Sequence, residues 1–476
     1  MDLTDHPILG GFDALAGELA DLYRDLHAHP ELSYEEHRTA GIVAERLAAS
    51  GYDVTSGIGG TGVVGVLVNG GGPVVLLRAD MDALPVREDT GLEYASTATT
   101  VNSAGETVPV MHACGHDMHV TCLLGAADLL ARARGHWSGT VIALFQPAEE
   151  LGDGARSMID DGLYSRIPRP SVVLGQHVMP GPVGSVFASP GTAMAAARSM
   201  QIRLFGRGGH GSTPDQCIDP VVMGASTVMR LQTLVSREVS PTNPAVVTVG
   251  SFQAGTKENV IPDEAVLKVN TRAFETHVAE QLAEGIARIA NAEAEASRAP
   301  RPPEIVDLNS FPLTVNDVEA TRRTLTALGG LLGADKVFEI GPVSGSEDVG
   351  DLATELGVPL AYWFIGGFEI EEGKALPSNH SPQFAPVVRP TLDVGVAALV
   401  VAAQEWLGAE APGTTEFPRT IGKVAARELS AHGYTRYEQL TSVAATALLA
   451  IHGVGPKAIR ILGDELAERG LAFADA

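Results

Sequence analysis

VVLLRADMDALP, residues 74–85, opens on four apolar residues and ends past two aspartates, Asp80 and Asp82. A short apolar run without polar alternation reads as a strand buried on both faces of a sheet. The pattern of a strand running into chemically capable residues then recurs. GTVIALF (139–145) runs into Gln146-Pro-Ala-Glu149-Glu150, and SVVLGQ (171–176) runs into His177. LAYWFIGG (360–367) is followed by Pro377-Ser-Asn-His380. MHACGHD (111–117), just before an expected helix, offers His112, Cys114, His116 and Asp117. In open α/β sheets, sites form outside the carboxyl ends of the strands. These segments therefore predict one site assembled from several strand ends.

Working outward, helical patterns at 13–28, 35–50 and 117–134 alternate with strand patterns at 63–68, 74–79, 139–145 and 171–176. That alternation predicts an α/β layer fold. Residues 178–199 shift to Gly, Pro and small side chains. After them come a strand at 200–206, a helix near 218–237, strands at 245–252 and 265–274, and a helix at 276–297, a β-α-β-β-α unit that reads as an inserted α+β domain. SRAPRPPEIV (297–306) returns the chain to the α/β pattern, which runs to about 407. A linker, GAEAPGTTEFP (408–418), leads to a tail of short helices at 419–473. The expected division is 1–190 with 303–407, an insert at 191–302, and a small all-α tail at 414–476.

The 476 residues are 45% hydrophobic and 19% charged, a globular composition that excludes wholesale disorder. With 33 Lys+Arg against 58 Asp+Glu, the net charge is −25, which phosphate repels, so a duplex nucleic-acid binder is disfavoured. Residues 414–476 hold seven basic and seven acidic residues, so the whole excess lies in 1–413. Three cysteines cannot build a disulfide framework, which points to a reducing compartment. The acidic N-terminus is no secretory signal, and apolar runs such as 394–403 are too short to span a bilayer. A cytoplasmic location is the expectation.

Imidazole and thiolate suit zinc, manganese or similar ions, and carboxylates add hard oxygens. Glu149 and Glu150, neighbours at a strand end, are expected to diverge, one binding metal while the other holds the water as general base. Taken singly these residues have ordinary explanations: Asp80 and Asp82 could cap a helix, and Cys122 and Cys217 read as small apolar fillers. His6, His27, His29, His37, His136, His277 and His432 read as solvated or capping. The combination at successive strand ends is what sets the site apart.

LRADMDALP (77–85), HACGHD (112–117), QPAEE (146–150), GGHGS (208–212), ENVIP (258–262), SED (346–348) and NHSPQF (379–384) resemble the aminoacylase, hippurate-hydrolase and indole-acetyl-amino-acid-hydrolase group of binuclear metallopeptidase relatives, family M20, subfamily D. The resemblance covers about residues 10–407. It implies a split catalytic domain of aminopeptidase-like fold, an inserted lid and dimerisation domain, and two divalent cations per subunit, Mn or Zn, with Co or Ni as further choices. It implies Cys114, His116, Glu150, His177 and His380 as metal ligands and Glu149 as general base. Asp82 would orient a ligand histidine. His210 would polarise the scissile carbonyl from the partner subunit. Asn259 and Arg272 would hold the substrate, Arg272 gripping carboxylate with its planar fork. A strand-face ion pair is the other reading of Arg272.

The implied activity is hydrolysis of the amide bond of N-acyl amino acids by a homodimer. Two other readings of the same residues are a carboxypeptidase or dipeptidase on short peptides and a noncatalytic interaction protein. Two departures, Val349 after SED and a long loop at 92–109, are expected to shape the acyl pocket. In the tail, LLAIHGVGPK (448–457) resembles a helix-hairpin-helix turn. The tail's neutrality makes packing or an interaction of unknown partner the expected role rather than DNA contact.

Overall fold

The computed structural model describes residues 3, 6–102, 105–408, 415–451 and 453–474. The expected linker at 408–418, part of the 92–109 loop and His452 of the tail's turn fall partly or wholly outside them.

Eight strands form the main sheet: β1 (Asp53–Ile58), β2 (Gly62–Asn69), β3 (Val74–Asp80), β4 (Gly139–Gln146), β5 (Val172–Pro182), β6 (Val186–Ala188), β11 (Val337–Glu339) and β12 (Leu360–Phe368). Their order is β1-β2-β4-β3-β5-β12-β6-β11, with β4, β3, β5 and β12 mutually parallel. Alternation decides which core each side chain joins. Val75, Leu77, Val141, Ala143 and Phe145 face a layer of helices α1 (Phe12–Ala28), α2 (His37–Ala49), α3 (His116–Arg132), α6 (Val318–Leu332) and α7 (Val388–Gln404). Leu76, Ile142 and Leu144 face a second core with Met158, Leu163 and Leu352. Burial on both faces explains the unbroken apolar runs in the sequence.

A second sheet of order β8-β9-β7-β10 is antiparallel throughout: β7 (Ala196–Phe205), β8 (Ala245–Ala254), β9 (Glu264–Ala273) and β10 (Glu304–Phe311). Helices α4 (Pro220–Thr233) and α5 (Thr276–Ala296) cover one face through Met223, Leu231, Leu282 and Ile286. The sheet's fourth strand, β10, lies beyond residue 302, in the segment expected to have rejoined the main α/β part. Its hydrophobic run looks the same in either sheet, and only pairing with β7 assigns it.

Helices α8 (Lys423–Ala431), α9 (Ala445–Leu449) and α10 (Pro456–Glu468) close a fourth core around Leu429, Leu440, Leu448 and Leu462. Gly453, between α9 and α10, has φ 89°, and a Cβ there would meet Val424 Cγ1 at 2.8 Å. No helix among the described residues is long and apolar enough to cross a membrane.

His27 departs from the expectation of a solvated histidine. It is fully buried on α1, with Nδ1 2.7 Å from Asp117 and Nε2 3.1 Å from Glu88. Its place on the apolar stripe of a helix, rather than in a loop, decides this. Burial alone would lower its pKa, but hydrogen bonds to the two carboxylates lift it to about 10. A histidine whose folded pKa is raised contributes stability that is complete below its unfolded value of 6.5 and is lost as pH rises toward 10. Denaturant midpoints measured from pH 6 to 10 are therefore expected to fall for the wild type and to fall less for His27→Gln. Parallel curves would contradict this.

Candidate functional site

Parallel pairing sets Asp80 beside Gln146 and Arg78 beside Gly175. The ends of β3 and β4 and the middle of β5 therefore meet at one edge. β5 runs on to Pro182, so His177 lies within the strand rather than after it. α3 starts at His116 from Gly115, whose φ is 83°. A Cβ at Gly115 would sit 2.3 Å from Val178 Cγ1, so only glycine lets the Cys114–His116 turn approach β5 so closely.

Three overlapping groups of ligand atoms each lie within 4.8 Å of one another: Cys114, His116 and His177; Cys114, Glu150 and His380; and His116, Glu149 and Glu150. Cys114 Sγ is 3.4 Å from His177 Nε2, and His380 Nε2 is 3.3 Å from Glu150 Oε1. His380 has φ 67°, and its N–H donates to Ala113 O at 2.8 Å, which folds the 377–382 loop over the cluster. All five expected ligands are thus in one place, with Glu149 beside them.

Glu149 and Glu150 do not diverge as expected. The strand ends at Gln146, and residues 149–151 form a single tight helical turn after Ala148, whose φ is 50°. Both carboxylates therefore point the same way, 3.8 and 3.9 Å from His116 Nε2. Buried Glu36 steadies this turn by accepting the Ala148 N–H at 2.9 Å.

Asp82 organises the cluster rather than capping a helix. Oδ1 lies 3.3 Å from His116 Nδ1 and accepts the Glu149 N–H at 3.1 Å. Oδ2 accepts the Glu150 N–H at 3.0 Å and the Ser33 hydroxyl at 2.6 Å. Beneath it, the fully buried Arg78 bonds Asp80 at 2.6 Å, Glu347 at 2.8 Å and Asp348 at 3.3 Å. Asp80 in turn bonds His119 Nδ1 at 2.6 Å.

His119 is a site residue that the strand-end reasoning overlooked. Its signal is the spacing: three residues past His116 puts both on one face of α3. Its Nε2 accepts the Val178 N–H at 2.8 Å, and its ring packs edge-on to His177.

The donors fit divalent cations. His116 Nε2 and Glu150 Oε1 are buried, aimed into the cluster and without a hydrogen-bond partner. Thiol, imidazole and carboxylate together suit first-row ions. Asp80, Glu347 and Asp348 also form candidate groups with their neighbours, but Arg78 already bonds all three. Burial pushes Glu149 well above the usual carboxylate range, and Glu347 and Glu150 add to it. Burial also raises the Cys114 thiol, with Glu150 and Glu149 reinforcing it.

The cluster opens into a cavity of about 510 Å³ between the two sheets. Arg272 reaches it from β9, half-buried, and its Nη1 donates to Ser344 O at 2.9 Å and Ser346 Oγ at 2.8 Å. No ion pair to Arg272 exists among the described residues.

Other expectations fall elsewhere. His210 and Asn259 are exposed neighbours, linked by the Gly211 N–H to Asn259 O bond of 2.8 Å, and neither lines this cavity. His112 is buried and belongs to none of these groups of ligand atoms, and burial pushes it down to about 4. Asp117 turns to His27. Val349 is buried in the second core, and no described residue of 92–109 lines the cavity.

Residues 76–405 match the profile of Peptidase family M20/M25/M40. Hippurate hydrolase of Campylobacter jejuni is 39% identical over 342 residues, 71% of this chain and 85% of that protein. Thermostable carboxypeptidase 1 of Saccharolobus solfataricus is 34% identical, over 81% of this chain and 94% of its own. A crystal structure of a dinuclear metal binding peptidase of the M20 family from Bacillus subtilis superposes with a TM-score of 0.65 at 29% identity, covering 83% of this chain and 99% of the other.

Because Asp82 holds both the His116 imidazole and the Glu149–Glu150 turn, Asp82→Asn is expected to weaken metal affinity by about 10–100-fold, the usual cost of losing such a support. Titrating metal-stripped protein with manganese, followed by calorimetry, checks this. Unchanged affinity would contradict it.

Proposed function

Since the chain belongs to Peptidase family M20/M25/M40, we propose that it is a metal-dependent amidohydrolase that cleaves N-acyl amino acids to a carboxylate and an amino acid. The observation that carries this reading is Glu149, buried with a raised pKa beside a Cys–His–Glu–His–His ligand set that opens on an arginine. Cys114, His116, Glu150, His177 and His380 would hold two cations, Mn or Zn, which supply Lewis acidity and lower the pKa of water toward about 7. Glu149 takes a proton from the attacking water and returns it to the leaving nitrogen, since burial among carboxylates suits it to hold that proton. Arg272 receives the substrate's carboxylate.

His210 and Asn259 act across a homodimer in this reading, stabilising the oxyanion and the substrate carbonyl of the other subunit's site. Two features support it. Val222 and Met229, seven apart on α4, are 64% and 71% exposed. Their helix packs against β8, an edge strand with an unpaired side. The insert at 191–302, extended by β10 (Glu304–Phe311), then serves as lid and dimerisation domain, 1–190 with the remainder of 303–407 as the catalytic part, and 414–476 as a separate helical tail. Three free cysteines suit a reducing cytoplasm.

The same ligand set hydrolyses peptides in principle, and the likeness to a carboxypeptidase favours that as the second reading. Purified protein with added manganese or zinc is expected to release amino acid from N-acetyl, N-benzoyl or indole-acetyl conjugates. Turnover of dipeptides alone would favour the second reading. Glu149→Gln is expected to lower kcat by at least about 10²-fold, the scale of general base catalysis, with metal content retained. Met229→Glu is expected to shift sedimentation from dimer to monomer, and a monomeric wild type would overturn the dimer.

A further inference from the structure

The second sheet has two unlike faces. One is apolar and covered by α4 and α5. The other turns toward the metal cluster and carries an ordered set of side chains. Register fixes the rows. Phe311, Ala197 and Arg272 stand side by side on β10, β7 and β9, nearest the point where the chain enters the sheet. One step further out stand Asn309, Ser199 and Asn270. All six line the cavity that holds Cys114, Glu149 and Glu150.

The outer row is uncharged and rich in hydrogen-bonding groups. Asn270 Nδ2 donates to Ser199 Oγ at 3.0 Å, which fixes the Asn270 amide with its carbonyl oxygen directed elsewhere. Ser199 keeps a hydroxyl proton to donate, and the Asn309 amide offers both a donor and an acceptor. Strands lie about 4.8 Å apart, so the row is a comb of alternating donors and acceptors about 10 Å wide. Packing does not require it, since these side chains point away from the helices. The row is half-buried, where an unmatched amide or hydroxyl is costly and a matched one discriminates.

Its position relative to Arg272 suggests what it reads. Residues two apart on a strand are about 7 Å apart along it, on the same face. A carboxylate at Arg272 therefore places the rest of the amino-acid half within reach of the outer row. The apolar Met179, Pro180 and Met194 line the cavity on the main-sheet side, where the acyl group would lie. We infer that Asn270, Ser199 and Asn309 select the amino-acid half of the substrate, favouring an uncharged side chain with a carboxamide, such as glutamine. This rests on the amidohydrolase reading above and adds a substrate class to it.

The test uses full-length, manganese-loaded protein and N-benzoyl conjugates of glycine, leucine, glutamine and glutamate. The wild type is expected to favour the glutamine over the leucine conjugate in kcat/KM by about tenfold or more, because a site built to hydrogen-bond rejects a substrate that leaves it unpaired. In Asn270→Leu and Asn309→Leu the glutamine-to-glycine ratio of kcat/KM is expected to fall by about tenfold. Ser199→Ala, a smaller change, should lower the same ratio and serves if either leucine variant fails to fold. A merely structural role would lower all conjugates together and leave the ratio unmoved, and that result overturns the inference. A preference for glutamate over glutamine also overturns it, in favour of charge recognition by Lys268, one row further out on the same face. Turnover of no conjugate by the wild type would sink the amidohydrolase reading itself, an outcome distinct from turnover without selection.

Discussion

The carboxylate of Asp82 is the contact on which the site's geometry depends. A buried carboxylate is costly unless its lone pairs are filled, and here four donors fill them: Ser33, His116 and the amides of Glu149 and Glu150. Those donors come from three separate stretches of chain. Satisfying one charge therefore draws the start of α3 and the turn after β4 to the end of β3. The hydrogen bond to His116 also settles which ring nitrogen faces the ligands.

Beneath that layer lies a second solution to the same problem. Arg78, Asp80, Glu347 and Asp348 are all fully buried, which is tolerable only because one guanidinium serves three carboxylates. Gln146 and Tyr362 fill the remaining valences at 2.6 Å. This layer leaves Glu149 as the carboxylate among them that has no arginine. Its proton affinity rises, as does that of Asp348, because burial and the neighbouring Glu347 act on both.

The cleft brings two different chemistries together. The main-sheet side gathers thiol, imidazole and carboxylate groups in one place, because its parallel strands end toward one edge. The second sheet contributes an open face of ordered side chains, because its helices cover only the other face. Arg272 bonds across the gap to the loop that leads into Glu347, which ties the second sheet to the buried Arg78–Glu347 layer.

Much of this was legible in the sequence. Strands feeding into Asp80, Glu149 and His177 reveal an α/β sheet with a site at one edge, because residue type and strand position are both local. The family pattern points to Cys114, His116, Glu150, His177 and His380 and to Glu149, which the fold brings into one cluster. Other features are set only by tertiary structure. Glu149 and Glu150 converge because Ala148 adopts a left-handed turn that Glu36 supports from 112 residues away in sequence. His27 is buried because α1 packs against Asp117 and Glu88, and His119 joins the site because α3 turns it onto Asp80. β10 belongs to the second sheet because β7 pairs with it. The row Asn270–Ser199–Asn309 exists only through register among strands far apart in the chain. Local sequence determines which groups are available and the period on which they repeat. Long-range pairing and the satisfaction of buried charge determine which of them meet.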